Sequence, residues 1–98
     1  TPWAVYEAAL LREEAGSRER AVRGLEWLSI NKAGHICGRK ALESLGDILA
    51  QGSPEEAASY YRKLIERYPD YPFVARARNK LEWLETEMEG NSGREALP

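Results

Sequence analysis

The sequence predicts an all-α domain in which about five helices stack as antiparallel hairpins into a short solenoid. Three observations carry this. No segment shows the alternating pattern of a strand, whereas apolar residues recur at spacings of three and four through several windows. Breakers at Gly16-Ser17, Asn31–Gly34, Gly52-Ser53-Pro54 and Pro69–Pro72 cut the chain into helix-sized pieces with short connections, which sets consecutive helices antiparallel. Finally, GSRERAV (Gly16–Val22) is echoed by GSPEEAA (Gly52–Ala58) at a constant offset, 52 − 16 = 36 and 57 − 21 = 36. A repeated hairpin has an apolar face it cannot bury alone, and stacking on the next copy buries it.

Taken in order, Thr1-Pro2-Trp3 opens the first helix with a hydroxyl at the N-cap and Pro at the first helical position. Trp3–Ala15 follows without a breaker. Its opening WAVYEAALL is apolar almost all round, which predicts neighbours on two sides. Gly16 closes it and Ser17 caps a second helix, Arg18–Asn31, whose Ala21, Val22, Leu25 and Leu28 form one face. Trp27 and Ile30 lie opposite and predict a second packing partner.

A third helix starts at His35 or Arg39 and runs to Gln51, with Ile36, Ala41, Leu42, Leu45, Ile48 and Leu49 as its buried set. Ser53-Pro54-Glu55-Glu56 predicts a capping box for the fourth helix, which buries Ala57, Ala58, Tyr61, Leu64, Ile65 and Tyr68. Past the two prolines, the fifth helix spans about Pro72–Glu89 on the stripe Phe73, Val74, Ala77, Leu81, Leu84, Met88. Gly90 is read as its stop and 90–98 as a flexible tail.

Composition narrows the function. Ninety-eight residues at 43% hydrophobic and 31% charged suit one globular domain, here residues 1–89. A net charge of −2 with interspersed signs leaves little to neutralise phosphates, so no nucleic-acid partner is expected. In a helix-turn-helix reading of residues 41–63, Glu55 and Glu56 would meet the DNA backbone with the wrong sign. No apolar run is long enough to span a bilayer, so no membrane insertion is expected. The start without methionine is read as an excised domain or a processed product.

One region also carries a family resemblance. Ala41–Pro69 resembles a tetratricopeptide repeat: Leu45-Gly46 is similar to the Leu-Gly pair of its first helix, Ala57 to the early small residue of its second, Tyr61 to the following aromatic and Pro69 to the closing proline. Leu64 stands where that repeat prefers Ala, and the inter-helix turn is one residue short. YYRKLIERYPDYPFVARARNKL is similar to repeats common in bacterial cell-envelope members of the superfamily. The resemblance implies a right-handed solenoid with units at about 3–33, 36–69 and 72–89, the last a half repeat or a closing helix. It leaves the compartment open between periplasm or cell envelope and cytoplasm.

No catalytic, metal or cofactor motif emerges. His35 and Cys37 have no second His or Cys to work with, and Cys37 reads as a small buried residue. Glu13-Glu14 and Glu55-Glu56 read as solvated carboxylates, the latter favoured by a helix N-terminus. The resemblance instead implies a non-catalytic scaffold or adaptor that holds a peptide or partner protein in a concave groove lined by the first helix of each hairpin. The implied groove residues are Tyr6, Leu10 and Glu13; Lys40, Glu43, Asp47 and Gln51; and Arg76, Lys80 and Trp83. Where relatives that bind acidic peptide termini carry Lys and Asn, this chain has Glu43 and Asp47, which argues against that ligand. Reversing both charges (Glu43→Lys with Asp47→Lys) is expected to abolish capture with the fold unchanged. Two alternatives stand beside this one: a structural module that self-associates through the apolar first helix, and a regulatory domain of a larger protein.

Overall fold

The computed structural model describes residues 1–96. The described residues form five helices and no strand: α1 (Pro2–Glu14), α2 (Arg18–Asn31), α3 (Ile36–Leu49), α4 (Pro54–Arg67) and α5 (Val74–Ala96). Each packs on the next, and α1 also touches α3, so α1, α3 and α5 share one side of an elongated slab of 53 × 32 × 17 Å. The all-α prediction and its order of helices hold.

Local chemistry explains where the helices begin and end. Thr1 caps α1, its hydroxyl accepting the Ala4 N–H at 3.2 Å. Gly16 closes it in the left-handed region at φ +88, which lets the Ser17 N–H reach the Arg12 carbonyl at 2.7 Å and the Gly16 N–H reach Glu13 at 3.0 Å. That pair of bonds satisfies two carbonyls which the last turn leaves open. His35, not a Ser or Thr, caps α3: its Nδ1 accepts the Cys37 N–H at 3.0 Å.

The predicted Ser17 cap and the Ser53–Glu56 capping box do not form; neither serine makes a side-chain cap bond. The backbone is the reason. His35 is extended at ψ 145, the geometry that turns a side chain back over the first turn, whereas Ser17 and Ser53 sit at ψ 64 and 63.

The core is built around α3, most of which is buried. Two glycines set how closely its neighbours approach. A Cβ on Gly38 would collide with the carbonyl of Lys32, the residue that caps α2, and one on Gly46 with the Tyr61 ring of α4. The two copies of the 36-residue echo occupy matched buried places: Ala21 with Ala57, Leu25 with Tyr61, and Leu28 with Leu64. On the last helix, Ala77 and Leu84 are buried on α4, with Val74, Leu81 and Met88 half-buried beside them. An exposed Arg62–Glu85 pair at 3.2 Å adds little to this contact.

Several expectations fail. Ile36 and Phe73 are exposed rather than core, because Ile36 is the first residue of α3 and Phe73 precedes α5 in the Pro69–Pro72 turn region. Trp27 and Ile30 face outward, Ile30 at 76%, with no second partner among the described residues. Tyr71, in that same turn and unassigned by periodicity, is almost wholly buried. Gly90 does not stop α5, which continues to Ala96. Gly90 avoids the left-handed conformation, so it costs the helix only about 1 kcal/mol relative to Ala instead of terminating it. Residues 97–98 of the expected tail lie outside the described residues.

Candidate functional site

The shared side of α1, α3 and α5 carries most of the residues expected in the groove. On α3, Lys40, Glu43 and Asp47 recur at helical spacing; on α5, Arg76, Lys80 and Trp83 do the same, so the two rows face each other. Glu43 is only 2% exposed. Its two oxygens receive a forked pair from Arg76, Nε at 2.6 Å and Nη2 at 2.8 Å. Lys80 Nζ adds a third bond at 2.7 Å and the Tyr71 hydroxyl a fourth at 3.1 Å. Lys80 also reaches Asp47 at 3.0 Å, and Asp47 accepts the Tyr61 hydroxyl at 2.6 Å. Two carboxylates and two cations thus neutralise one another.

The titration behaviour follows from that arrangement. Burial pushes the Glu43 carboxyl up, but hydrogen bonds from Arg76, Lys80 and Tyr71 together with the Lys80 charge outweigh it and hold the group at about 2. Burial and the neighbouring carboxylates push the Tyr61 and Tyr71 hydroxyls well above their usual range. Burial costs the Lys80 ammonium, yet bonds to Glu43 and Asp47 still raise it.

Next to this network a cleft of about 400 Å³ opens between α3 and α5. Ala50, Tyr61 and Leu84 supply apolar walls, Trp83 flanks them with its indole 63% exposed, and Asp47, Asn79, Lys80 and Arg76 form the rim. At the opposite end, Lys40 Nζ lies 5.9 and 5.8 Å from the ring centroids of Trp3 and Tyr6, which meet edge-to-face. Arg76 stacks on Phe73 at 4.5 Å. One side of the molecule therefore runs from an aromatic–lysine corner, across an internally neutral ionic lattice, to an apolar cleft.

The predicted residues divide into two groups. Lys40, Asp47, Arg76, Lys80 and Trp83 reach this surface with accessible atoms. Glu43 is beneath it as a structural tie between α3 and α5, and Tyr6 is buried with its hydroxyl 2.7 Å from Ser44. Leu10 packs against the core, and Glu13 is half-buried. Gln51 sits in the α3–α4 turn, where its carbonyl accepts from Arg18 at 3.3 Å. The burial of Glu43 overturns the expectation that its reversal to Lys leaves the fold unchanged: two cations already occupy that spot.

Sequence reading missed Ser44, Tyr71 and Asn79, and it assigned Phe73, Tyr61 and Leu84 to buried stripes rather than to this surface. Trp83, which lies off the apolar stripe of its helix, is the signal in the sequence that points here. Cys37 is buried as expected, its thiol donating to the Pro2 carbonyl at 3.2 Å and pushed up by burial. Among the described residues, no group of three or more His, Cys, Asp or Glu is placed to hold a metal ion, and no helix is long and apolar enough to cross a membrane. Comparison with protein-family models, curated proteins and solved structures finds no match to this chain.

Proposed function

We propose that this chain is a tetratricopeptide-like stack of helical hairpins that binds a peptide or a segment of a partner protein along the side formed by α1, α3 and α5, without catalysing a reaction. The observation that carries the reading is the cleft beside Trp83. An indole 63% exposed beside apolar walls of Ala50, Tyr61 and Leu84 leaves surface that the fold does not use, and contiguous apolar surface of this kind marks interaction sites. The matched burial of Ala21 with Ala57 and of Leu25 with Tyr61 supports the repeat reading. The outer face of α5 supports its role as a closing helix, since Ala75, Glu82 and Thr86 are exposed and mostly polar. Glu43 offers no free charge to a ligand, whereas Asp47 stays 45% exposed on this side and still disfavours an acidic one.

The test is a selection of random peptides displayed on phage against the wild-type chain and against Trp83→Ala. Trp83 is mostly exposed and lies outside the buried core cluster, so helical content and melting stay unchanged. Wild type is expected to enrich a peptide family that the variant binds at least tenfold more weakly, the scale of losing one aromatic anchor. Equal binding by both proteins contradicts the assignment.

A further inference from the structure

The two ends of the stack are not alike. The outer face of α5 is polar, whereas the outer face of α1 is a stripe of Ala4, Ala8, Leu11 and Ala15. Leu11 is 64% exposed, Ala4 and Ala15 are exposed and Ala8 is half-buried. The chain shows how it treats this stripe elsewhere. If Ala9 of α1 is matched to Gly46 of α3, then Ala4, Ala8 and Leu11 correspond to Ala41, Leu45 and Ile48 (41 − 4, 45 − 8 and 48 − 11 are all 37). All three are buried, on the edge of α3 that also carries Gly38 against α2. The α1 stripe is the same kind of helix-packing edge, and among the described residues no helix lies on it.

We infer that a second copy of this chain covers it, α1 lying parallel to the α1 of its partner. The spacing of four and three places Ala4 and Leu11 at the d positions of a heptad and Ala8 at the a position, with Ala15 extending the row at the C-cap, the seam of a two-helix coil with small residues that let the backbones approach. Charge fixes the direction. Glu7 and Glu14 then occupy g, and Arg12 occupies e. In a parallel pair each Glu7 meets the other copy's Arg12 five residues on, and the two-fold axis makes two such pairs. In an antiparallel pair like flanks meet, which brings the glutamates of both copies together. Glu7, Arg12 and Glu14 are all exposed, and among the described residues Glu7 and Arg12 make no ion pair within the chain. This dimer leaves the α3–α5 cleft open in both copies and does not depend on what the cleft binds.

Sedimentation velocity over about 1 µM to 1 mM, the range of weak affinities, tests it in reducing buffer. The wild type is expected to pass from monomer to dimer with concentration. Arg12→Glu places like charges at both pairs and is expected to weaken dimerisation about tenfold or more, while Glu7→Arg combined with Arg12→Glu restores it. Leu11→Glu, on an exposed side chain, is expected to give a monomer with unchanged circular dichroism. A wild type that stays monomeric to the top of the range overturns the proposal. So does a dimer that Leu11→Glu leaves intact, or one that Arg12→Glu weakens and the double swap fails to rescue.

Discussion

Replacing Glu43 by Gln keeps the side chain's shape and removes the charge that Arg76 and Lys80 converge on. The carboxyl is held at about 2 against an ordinary value of 4.5, a difference of 4.5 − 2 = 2.5. At 1.36 kcal/mol for each pKa unit this is about 3 kcal/mol of stability tied to the ionised form. Because the folded value is the depressed one, that stability is complete above about pH 5 and is lost as pH falls towards 2. Discounting is small, since Glu43 is only 2% exposed. Breaking one partner of a buried pair costs this much even where an apolar replacement of the whole pair would not.

Urea denaturation followed by far-ultraviolet circular dichroism reads the effect directly. With a slope near 1 kcal/mol per molar for a chain this small, the Gln variant should unfold at about 2–3 M less urea at pH 7. The gap between the two proteins should close as pH approaches 2, because the wild type loses by protonation what the variant lacks already. A gap under about 0.5 kcal/mol at pH 7, within the range of surface substitutions, would falsify the claim that Glu43 ties α3 to α5. So would a gap that stays constant down to pH 2.

Other consequences follow from the same packing. Gly46→Ala forces a Cβ into the Tyr61 ring and should destabilise by about 1–3 kcal/mol in the same denaturation assay. Gly90→Ala meets nothing within 4 Å and sits inside α5, so it should stabilise by about 0.5–1 kcal/mol, the opposite sign for the same chemical change. Alkaline titration at 295 nm should show Tyr60 ionising near pH 12, raised by burial and by its 2.8 Å bond to Glu26, with Tyr61 and Tyr71 still protonated there. Full ionisation of all tyrosines by pH 11 would contradict the packing of those rings. Tyr61→Phe should cost about 1 kcal/mol for the lost bond to Asp47, and only about half that if solvent replaces it.

The sequence was most informative where one local interaction decides the outcome. The bounds of α2, the Thr1 cap, the Gly16 closure and the matched small and bulky positions of the echo each depend on residues a turn apart or on simple periodicity. It was least informative where backbone geometry or long-range contact decides. Ser53-Pro54-Glu55-Glu56 has the composition of a capping box, but ψ at Ser53 turns the hydroxyl away. Tyr71 lies between two prolines, off every stripe, and is buried because Glu43, 28 residues away, supplies its hydroxyl with a partner. The resemblance implied Glu43 as a groove residue, and nothing local to Glu43 shows that Arg76 and Lys80 close over it.

The most direct test of the binding surface is a chemical-shift footprint. The peptide enriched by wild-type chain would be titrated into isotope-labelled protein and the amide signals followed by nuclear magnetic resonance. The account predicts that the largest shifts fall on Asp47, Ala50, Asn79, Lys80 and Trp83 and spread toward Lys40, with Lys63 and Glu66 on the exposed side of α4 unmoved. Shifts centred on Lys63, Glu66, Trp27 and Ile30, with Trp83 silent, would place recognition on the opposite side and contradict it.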